Sequence, residues 1–181
     1  MFGPPLDFSF KCLSSMADVL SEEPNQGLQP LRRSSDKKFN SRALRLNNNI
    51  ITDVTGLHVT MATLLSQPEL LAWLDLSFND LTHIDPVLAE LRSLRVLYLH
   101  GNSISVLGEV EQLGGLPLLH TLTLHGNALE NERGYRGYVI AAMPQLKMMD
   151  FSAVTNQERR MAQIWHQPTH RHKPTNQGAE S

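Results

Sequence analysis

Two histidines at equivalent positions of neighbouring sequence repeats have the clearest capacity for chemistry in this 181-residue chain. His100 and His125 both stand in the segment Leu-His-Gly-Asn, and adjacent β-strands about 5 Å apart would bring their side chains together. A pair of imidazoles can bind a transition metal, but no third ligand with suitable geometry is evident in the sequence. Because duplication of the repeat explains the pair more simply, we predict no metal site and no cofactor.

The other reactive side chains form no catalytic set. Cys12 is the single cysteine, so it cannot form an intrachain disulfide, and it lies outside the repeats. The sequence contains no glycine-rich phosphate cradle, no G-x-S-x-G elbow and no H-E-x-x-H helix. We therefore predict that the chain is not an enzyme.

A short basic run contains two serines. It reads Arg32-Arg33-Ser34-Ser35 and continues with Lys37 and Lys38 after one acidic residue. A basophilic kinase could phosphorylate either serine, and the phosphate would cancel much of the local positive charge. A solvated linker is the simpler interpretation of the run.

Composition excludes several classes of partner. The chain has 16 Lys and Arg against 18 Asp and Glu, a formal net charge of −2, and 41% hydrophobic residues. This balance argues against direct binding to nucleic acid or to an anionic membrane. No apolar run approaches the ~18 residues of a membrane span, and the N-terminal residues lack the pattern of a secretory signal. These features predict a cytoplasmic protein.

A repeated leucine-rich segment organises the chain and must position the candidate residues. Of 29 leucines, 24 lie between Leu44 and Leu146. Four copies of the pattern L-x-L-x-x-N-x-L, with Ile in the last place of two of them, begin at intervals of 23 to 30 residues, and a degenerate fifth copy spans 146–151. The four start at Leu44, Leu74, Leu97 and Leu122. This is the leucine-rich repeat pattern.

Each repeat predicts a short strand followed by a turn. The two leucines of L-x-L point inward and the residues between them point outward. An asparagine amide at the turn can bond backbone groups that the departing chain leaves unpaired, so stacked copies would form a ladder. We predict a structural ladder of Asn49, Asn79, Asn102 and Asn127.

Between the strands the apolar spacing becomes helical, and Pro86 and Pro117 predict short or 3₁₀ turns. Since no single repeat can bury its leucines alone, the copies must stack into one core. The predicted fold class is therefore α/β. It is a leucine-rich repeat solenoid with a short parallel sheet of about five strands on its concave side and helices and turns on its convex side.

The two ends of such a solenoid need protection. We divide the chain into an N-terminal extension (1–40), the repeats (41–152), a C-terminal capping helix (153–167) and a disordered tail (168–181). In the extension Leu6, Phe8 and Phe10 alternate as a strand that could cap the first repeat or dock on a partner. The tail histidines His166, His170 and His172 stand among polar residues, which is typical of disorder.

The capping helix begins with a capping-box spacing from Thr155 to Glu158. Its apolar residues Met161, Ile164 and Trp165 share one face. We expect this face to close the last repeat as a lid, with Trp165 in a structural role and partner docking as the alternative.

The outward strand positions form the concave face, which is the usual binding surface of solenoids. Trp73 and Tyr98 are diagonal neighbours there, with His100 and His125 beside them. An exposed aromatic cluster in a polar surround is typical of a protein-binding hot spot. The predicted protein-binding residues are Arg45, Trp73, Asp75, Val96, Tyr98, His100, Thr123 and His125. The alternative is that a terminal segment or the Trp73 indole folds over this face.

The repeats, together with Gly134-Tyr135-Arg136-Gly137-Tyr138-Val139 and the later Pro144-Gln145-Leu146, resemble short intracellular leucine-rich repeat proteins with a C-terminal cap. That group includes axonemal dynein light chain 1 and the U2 snRNP A-prime protein. Residues 5 to 168 are more closely similar to one vertebrate family of such proteins, through stretches such as Trp73-Leu74-Asp75-Leu76-Ser77-Phe78-Asn79. This resemblance implies a small cytoplasmic protein without enzymatic activity. Ala128 stands where the group usually has proline, which would loosen the entry to the cap.

The sequence thus predicts a non-enzymatic adaptor, monomeric on its own, that binds a protein partner of unknown identity through its concave face. The alternative, by analogy with the axonemal relative, is a structural component or adaptor of the axoneme in motile cilia or flagella, with a ciliary location. An RNA-associated adaptor acting through a protein partner is a third hypothesis, and an enzyme is the fourth.

Overall fold

A computed structural model describes residues 3–165 of the chain. The predicted tail, 168–181, lies outside the described residues, as do its histidines and the last two residues of the predicted capping helix. Seven short strands form one sheet in chain order, and the first six pair in parallel. They are β1 (Leu6–Asp7), β2 (Ala43–Arg45), β3 (Trp73–Asp75), β4 (Val96–Tyr98), β5 (Thr121–Thr123), β6 (Met148–Met149) and β7 (Ser152–Ala153).

The register of the sheet is that of the sequence repeat. Leu44 pairs with Leu74, Leu74 with Leu97, and Leu97 with Leu122, so equivalent residues lie side by side. The inward leucines of the repeats are fully buried in one continuous core. The predicted fold class is therefore confirmed.

The expected number of about five strands is too low by two. β1 comes from the N-terminal extension and pairs in parallel with β2, while β7 turns back antiparallel to β6. Both additions are too short, and too poor in leucine, to match the repeat pattern. Each one closes an end of the sheet.

The convex side is built from three α-helices and from 3₁₀ turns. The helices are α1 (Leu57–Leu64), α2 (Tyr135–Ala142) and α3 (Asn156–Trp165). The 3₁₀ turns span Ala17–Ser21, Pro68–Leu70, Pro86–Glu90, Leu107–Leu113 and Ala128–Asn131. Pro86 opens its turn as predicted, and Asp85 Oδ1 caps the turn by accepting from Val87 N at 2.8 Å.

Four asparagines fasten each repeat to the next. The Asn79 Oδ1 accepts from the backbone N of Ile51 at 3.1 Å, and its Nδ2 donates to the carbonyl oxygens of Leu46 and Leu76 at 2.9 and 3.1 Å. Asn49, Asn102 and Asn127 repeat this arrangement, and all four are buried. These amides satisfy backbone groups that the turns would leave unpaired in the core.

The N-terminal segment covers the open edge of the first repeat. Leu6, Phe8 and Leu13 are buried against it, as are Met16 and Val19. Asn25 N donates to the carbonyl oxygen of Asp7, and Asn25 Nδ2 donates to that of Ser9. These two bonds occupy the outer edge of β1. Phe10, expected to continue the inward alternation, is 74% exposed because the chain turns at its φ of 58°.

Helix α3 is docked by a different face from the one expected. Ala162 is its buried side chain, whereas Met161, Ile164 and Trp165 are 47%, 53% and 71% exposed. The prediction that these three residues form an apolar lid is therefore wrong. Polar contacts hold the helix instead: Arg159 donates to carbonyl oxygens of α2 and of the following loop, and Arg136 pairs with Glu158.

The start of α3 has the predicted reciprocal cap. Glu158 N donates to Thr155 Oγ1 at 3.1 Å, and Thr155 N donates to Glu158 Oε2 at 2.8 Å. The hydrogen bond from Arg136, followed by that from the Thr155 backbone, lowers the pKa of Glu158 to about 2. The carboxylate therefore stays ionised throughout the physiological range of pH.

Candidate functional site

Six rings meet on the concave face and form what we call the concave cluster. The rings of Trp73 and Tyr98 are in edge contact, with centroids 5.5 Å apart and planes at 83°. This is the diagonal pairing that the sequence predicted, because Trp73 opens β3 and Tyr98 ends β4. The cluster comprises Trp73, Phe78, Tyr98, His100, His125 and Phe151.

The two predicted histidines stack at the centre of the cluster. Their rings are parallel within 5°, with centroids 4.7 Å apart. His100 Nδ1 lies 2.7 Å from Thr123 Oγ1, and His125 Nδ1 lies 3.2 Å from Asp150 Oδ1. Each imidazole is thus oriented by a polar partner on the next strand or turn.

Burial makes His100 a poor base. Desolvation, followed by the charge of the neighbouring His125, lowers the pKa of His100 below its usual 6.5, and the carboxylates of Asp75 and Asp150 oppose this only in part. At neutral pH the imidazole of His100 is therefore neutral, and it contributes to the cluster as a largely apolar ring.

Asp150 joins the cluster to the C-terminal cap. Its Oδ1 accepts from the backbone N of Leu124 and His125 at 2.7 and 3.1 Å. Its Oδ2 accepts from the hydroxyl of Tyr135 on α2 at 2.7 Å. Burial and this bond to a carboxylate raise the pKa of Tyr135 far above 10. Asp150 stands in the degenerate fifth copy of the repeat, and sequence reasoning did not select it as functional.

Half of the predicted binding residues are not available to a partner. Asp75, Val96, Thr123 and His100 are no more than 9% exposed, so the expectation that all outward side chains lie in solvent is wrong for them. Asp75 accepts from the backbone and hydroxyl of Ser77, and Thr123 Oγ1 accepts from Leu99 N. The three polar side chains among them hydrogen-bond within the sheet and its turns, and these bonds stabilise the strands.

The four other predicted residues retain accessible surface. Trp73, Tyr98 and His125 are half-buried, so one edge of the cluster reaches solvent. Arg45 lies further toward the first repeat, with its guanidinium 6.0 Å from the Trp73 ring and 3.9 Å from Asp7 Oδ2. The described residues therefore present an aromatic surface with one cation at its margin.

Two phenylalanines that the prediction omitted complete the surface. Phe78 and Phe151 are 53% and 55% exposed, and both have left-handed backbone conformations, with φ of 54° and 62°. The ring of Phe151 lies 5.4 to 5.6 Å from Tyr98, His100 and His125. Phe151 thus partly covers the histidine pair, although it belongs to the fifth copy of the repeat and not to a terminal segment.

The position of Phe78 could have been found in the sequence. It aligns with Gly101 and Gly126, which have φ of 71° and 72° at the same turn. A Cβ on Gly101 would stand 2.5 Å from the Phe78 ring, so this glycine leaves the space in which the ring lies. A bulky residue at a turn that uses asparagine or glycine in the other three repeats was the signal.

Within the described part of the chain, His100 and His125 do not belong to a larger set of metal ligands. Among residues 3–165 no group of three or more His, Cys, Asp or Glu side chains could hold a metal ion together. Among the same residues, no helix is long and apolar enough to cross a bilayer.

Comparison with known proteins agrees with this geometry. A family profile described as leucine-rich repeat matches residues 64–176. Leucine-rich repeat-containing protein 51 of Bos taurus is 52% identical over 90% of this chain and 84% of its own length, and that of Homo sapiens is 51% identical over the same shares. Leucine-rich repeat-containing protein 23 of Xenopus tropicalis is 37% identical over 51% of this chain and 26% of its own length.

Among solved structures, the Drosophila melanogaster SNF/U2A' complex contains a chain with a TM-score of 0.65 and 23% identity, over 91% of this chain and 83% of that one. This likeness shows the shared fold. Proteins with this fold are generally non-enzymatic scaffolds for protein interaction. The profile match and the identity over 90% of the sequence show that the chain belongs to the leucine-rich repeat family and, within it, to the family of leucine-rich repeat-containing protein 51.

Proposed function

We propose that this chain is a non-enzymatic interaction module that binds a protein partner through the concave cluster. The observation that carries the proposal is the placement of Phe78 and Phe151. Each is a large apolar side chain that is more than half exposed, has a positive φ and, unlike Phe10, makes ring contact with His100. Neither burial nor backbone preference explains a phenylalanine at these two positions.

The backbone cost of this arrangement can be compared with its benefit to the fold. A non-glycine residue in the left-handed region costs about 1–3 kcal/mol, and such residues concentrate at ligand-binding sites. The half-exposed rings recover only part of this cost through their contacts with His100 and its neighbours. A partner that covers both rings would recover more, because each aromatic ring contributes a large apolar area.

The chemistry of the surface specifies the kind of contact. Trp73 and Tyr98 offer ring edges next to Phe151, and the half-buried His125 adds a polar ring within an apolar surround. Central aromatic anchors with a polar rim are typical of protein-binding hot spots. A protein segment with one or two apolar side chains fits this surface better than a nucleic acid, since the cluster itself contains no lysine or arginine.

The experiment compares partner recovery by matched variants. Phe78→Ala and Phe151→Ala each remove an exposed ring from the cluster, so both should reduce recovery of the partner from an extract of expressing tissue by tenfold or more. Phe10→Ala is the matched control, because Phe10 is 74% exposed at a similar positive φ and makes no ring contact with the cluster. Recovery is measured by quantitative mass spectrometry with wild type in parallel.

Equal recovery by wild type, Phe78→Ala and Phe151→Ala would refute the concave cluster as the binding surface. The pair Trp73→Ala and Tyr98→Ala is a less clean test, since both rings are half-buried and their loss also weakens the fold. Thermal melts of every variant keep a folding defect distinct from a binding defect.

The axonemal alternative rests on family resemblance and stays a prediction, as do the cytoplasmic location and the monomeric state. Imaging of the tagged chain in ciliated cells tests the alternative: a diffuse signal would contradict it.

A further inference from the structure

The basic run forms a hairpin at residues 33–39, with an exposed tip. Ser34 N donates to the carbonyl oxygen of Lys38 at 2.7 Å, and Lys37 N donates to that of Ser34 at 2.9 Å. Lys37 closes the turn with a φ of 62°. Ser35 therefore lies at the tip of the hairpin, on a different part of the fold from the concave cluster.

The structure distinguishes two serines that the sequence left equivalent. Ser34 is half-buried, and its Oγ accepts from Lys38 N at 3.3 Å. Ser35 is exposed, and its hydroxyl has no hydrogen-bond partner among residues 3–165. Of the two serines, Ser35 is the one whose hydroxyl is free to enter the active site of a kinase.

Two arginines stand three and two residues before Ser35. Arg32 is exposed, and the guanidinium of Arg33 stacks 4.1 Å from the ring centroid of Phe39 while its side chain remains 48% exposed. Guanidinium groups pair well with carboxylates, and basophilic kinases bind such groups in acidic pockets upstream of the acceptor hydroxyl. Arg32 and Arg33 stand upstream of Ser35 at the positions where such a kinase would bind them, so Ser35 fits as the acceptor.

The hairpin can open to present this segment. It is joined across its strands by only a few hydrogen bonds, one of them part-buried, and surface elements with few such bonds open locally at low cost in free energy. We propose that Ser35 is the phosphate acceptor for a basophilic serine kinase. The γ-phosphoryl group of ATP forms a bond to Ser35 Oγ, the bond to the leaving ADP breaks, and the hydroxyl proton passes to the base of the kinase.

The cations of the hairpin itself would form ion pairs with the phosphate. Residues 32–38 contain four basic side chains and one acidic side chain, a local charge of +3, and a phosphoserine adds about −1.5 to −2. Lys38 now donates its Nζ to the carbonyl oxygen of Ala62 near the end of α1, at 2.7 Å. A phosphate at Ser35 therefore finds cations within its own hairpin and competes with α1 for one of them.

The test uses the full folded chain with the catalytic subunit of a cAMP-dependent protein kinase and Mg-ATP as the probe. We expect one phosphate, located on Ser35 by tandem mass spectrometry. Ser35→Ala should abolish its incorporation, while Ser34→Ala should keep the rate within about twofold of wild type. Replacing both Arg32 and Arg33 by alanine should reduce the rate at least tenfold. No incorporation, incorporation at Ser34, or an unchanged rate without the arginines would overturn the proposal.

A second measurement tests whether the cations of the hairpin pair with the phosphate. In a ³¹P NMR titration of the phosphorylated chain, cations held nearby should lower the second pKa of phosphoserine below its usual value of about 6. Replacing both Lys37 and Lys38 by alanine should return that pKa toward 6. A wild-type value of about 6 would show that the hairpin does not hold the phosphate. Neither experiment depends on the concave cluster.

Discussion

Replacement of Asn79 by alanine tests the bonding between repeats. Asn79 is 5% exposed, belongs to the second repeat and bonds it to the first. Its Oδ1 is the partner of the Ile51 backbone N, and its Nδ2 bonds the carbonyl oxygens of Leu46 and Leu76. Alanine removes all of these bonds and leaves the apolar core in place.

The magnitude follows from which groups lose their last partner. The Leu46 oxygen still accepts from the amide of Asn49, and the Leu76 oxygen still accepts from the amide of Asn102. The Ile51 N, by contrast, is left buried without an acceptor, which costs about 1–3 kcal/mol. With the loss of the two amide donor bonds, at about 1 kcal/mol or less each, we expect a decrease of about 2–4 kcal/mol in the free energy of unfolding.

The assay is urea denaturation followed by far-UV circular dichroism. Total stabilities are about 5–15 kcal/mol, so the expected loss is a large fraction of the whole. Asn131→Ala is the matched control, because Asn131 is exposed and should change the free energy by less than about 0.5 kcal/mol. An Asn79→Ala loss no greater than that of the control would refute the assigned role of the ladder.

Three further predictions concern the strained turns, the histidine pair and the C-terminal cap. Phe78→Gly and Phe10→Gly relieve left-handed strain as they remove exposed rings, so urea titrations should give free energies within about 1 kcal/mol of wild type, and a loss above about 2 kcal/mol would contradict this. The native pKa of His100 lies below 6.5, so the unfolded chain binds that proton more readily than the folded chain does. The free energy of unfolding should therefore be complete above about pH 6.5 and fall as the pH decreases below it. His100→Gln should flatten this slope below about pH 6.5, and an unchanged slope would count against the assignment. Glu158→Ala removes the capping box and the bond to Arg136. Amide hydrogen exchange should therefore accelerate at least fivefold in α3 and stay unchanged in α1. Equal exchange in α3 of wild type and of Glu158→Ala would contradict this.

The repeat architecture was predictable because each repeat carries its own signal. The inward leucines set the face of every strand, and an asparagine such as Asn102 marks every turn. Parallel stacking in register then follows from identical repeats placed side by side, as the pairing of Leu74 with Leu97 shows.

Features that depend on contacts between distant segments were not predictable in the same way. β1 is two residues long, and it is a strand because Asn25 and β2 occupy its two edges. The apolar face of α3 pointed to a lid, but the bonds of Arg159 to backbone oxygens fix the opposite orientation. Helical periodicity alone cannot weigh polar contacts of that kind.

The candidate site was predicted in outline. Trp73, Tyr98 and the two histidines meet as the strand register requires. Phe151 was missed because a two-residue turn after β6 brings it back over the sheet, and such a turn has no counterpart in the other repeats.

Site-specific photocrosslinking tests the central claim most directly. A benzophenone amino acid in place of Phe78 lies on the concave cluster, and the same group in place of Val59, which is 66% exposed on α1, lies on the convex side. In an extract of expressing tissue, the account predicts a crosslinked partner from position 78 and none from position 59. A partner crosslinked from position 59 alone, or equally from both positions, would contradict it.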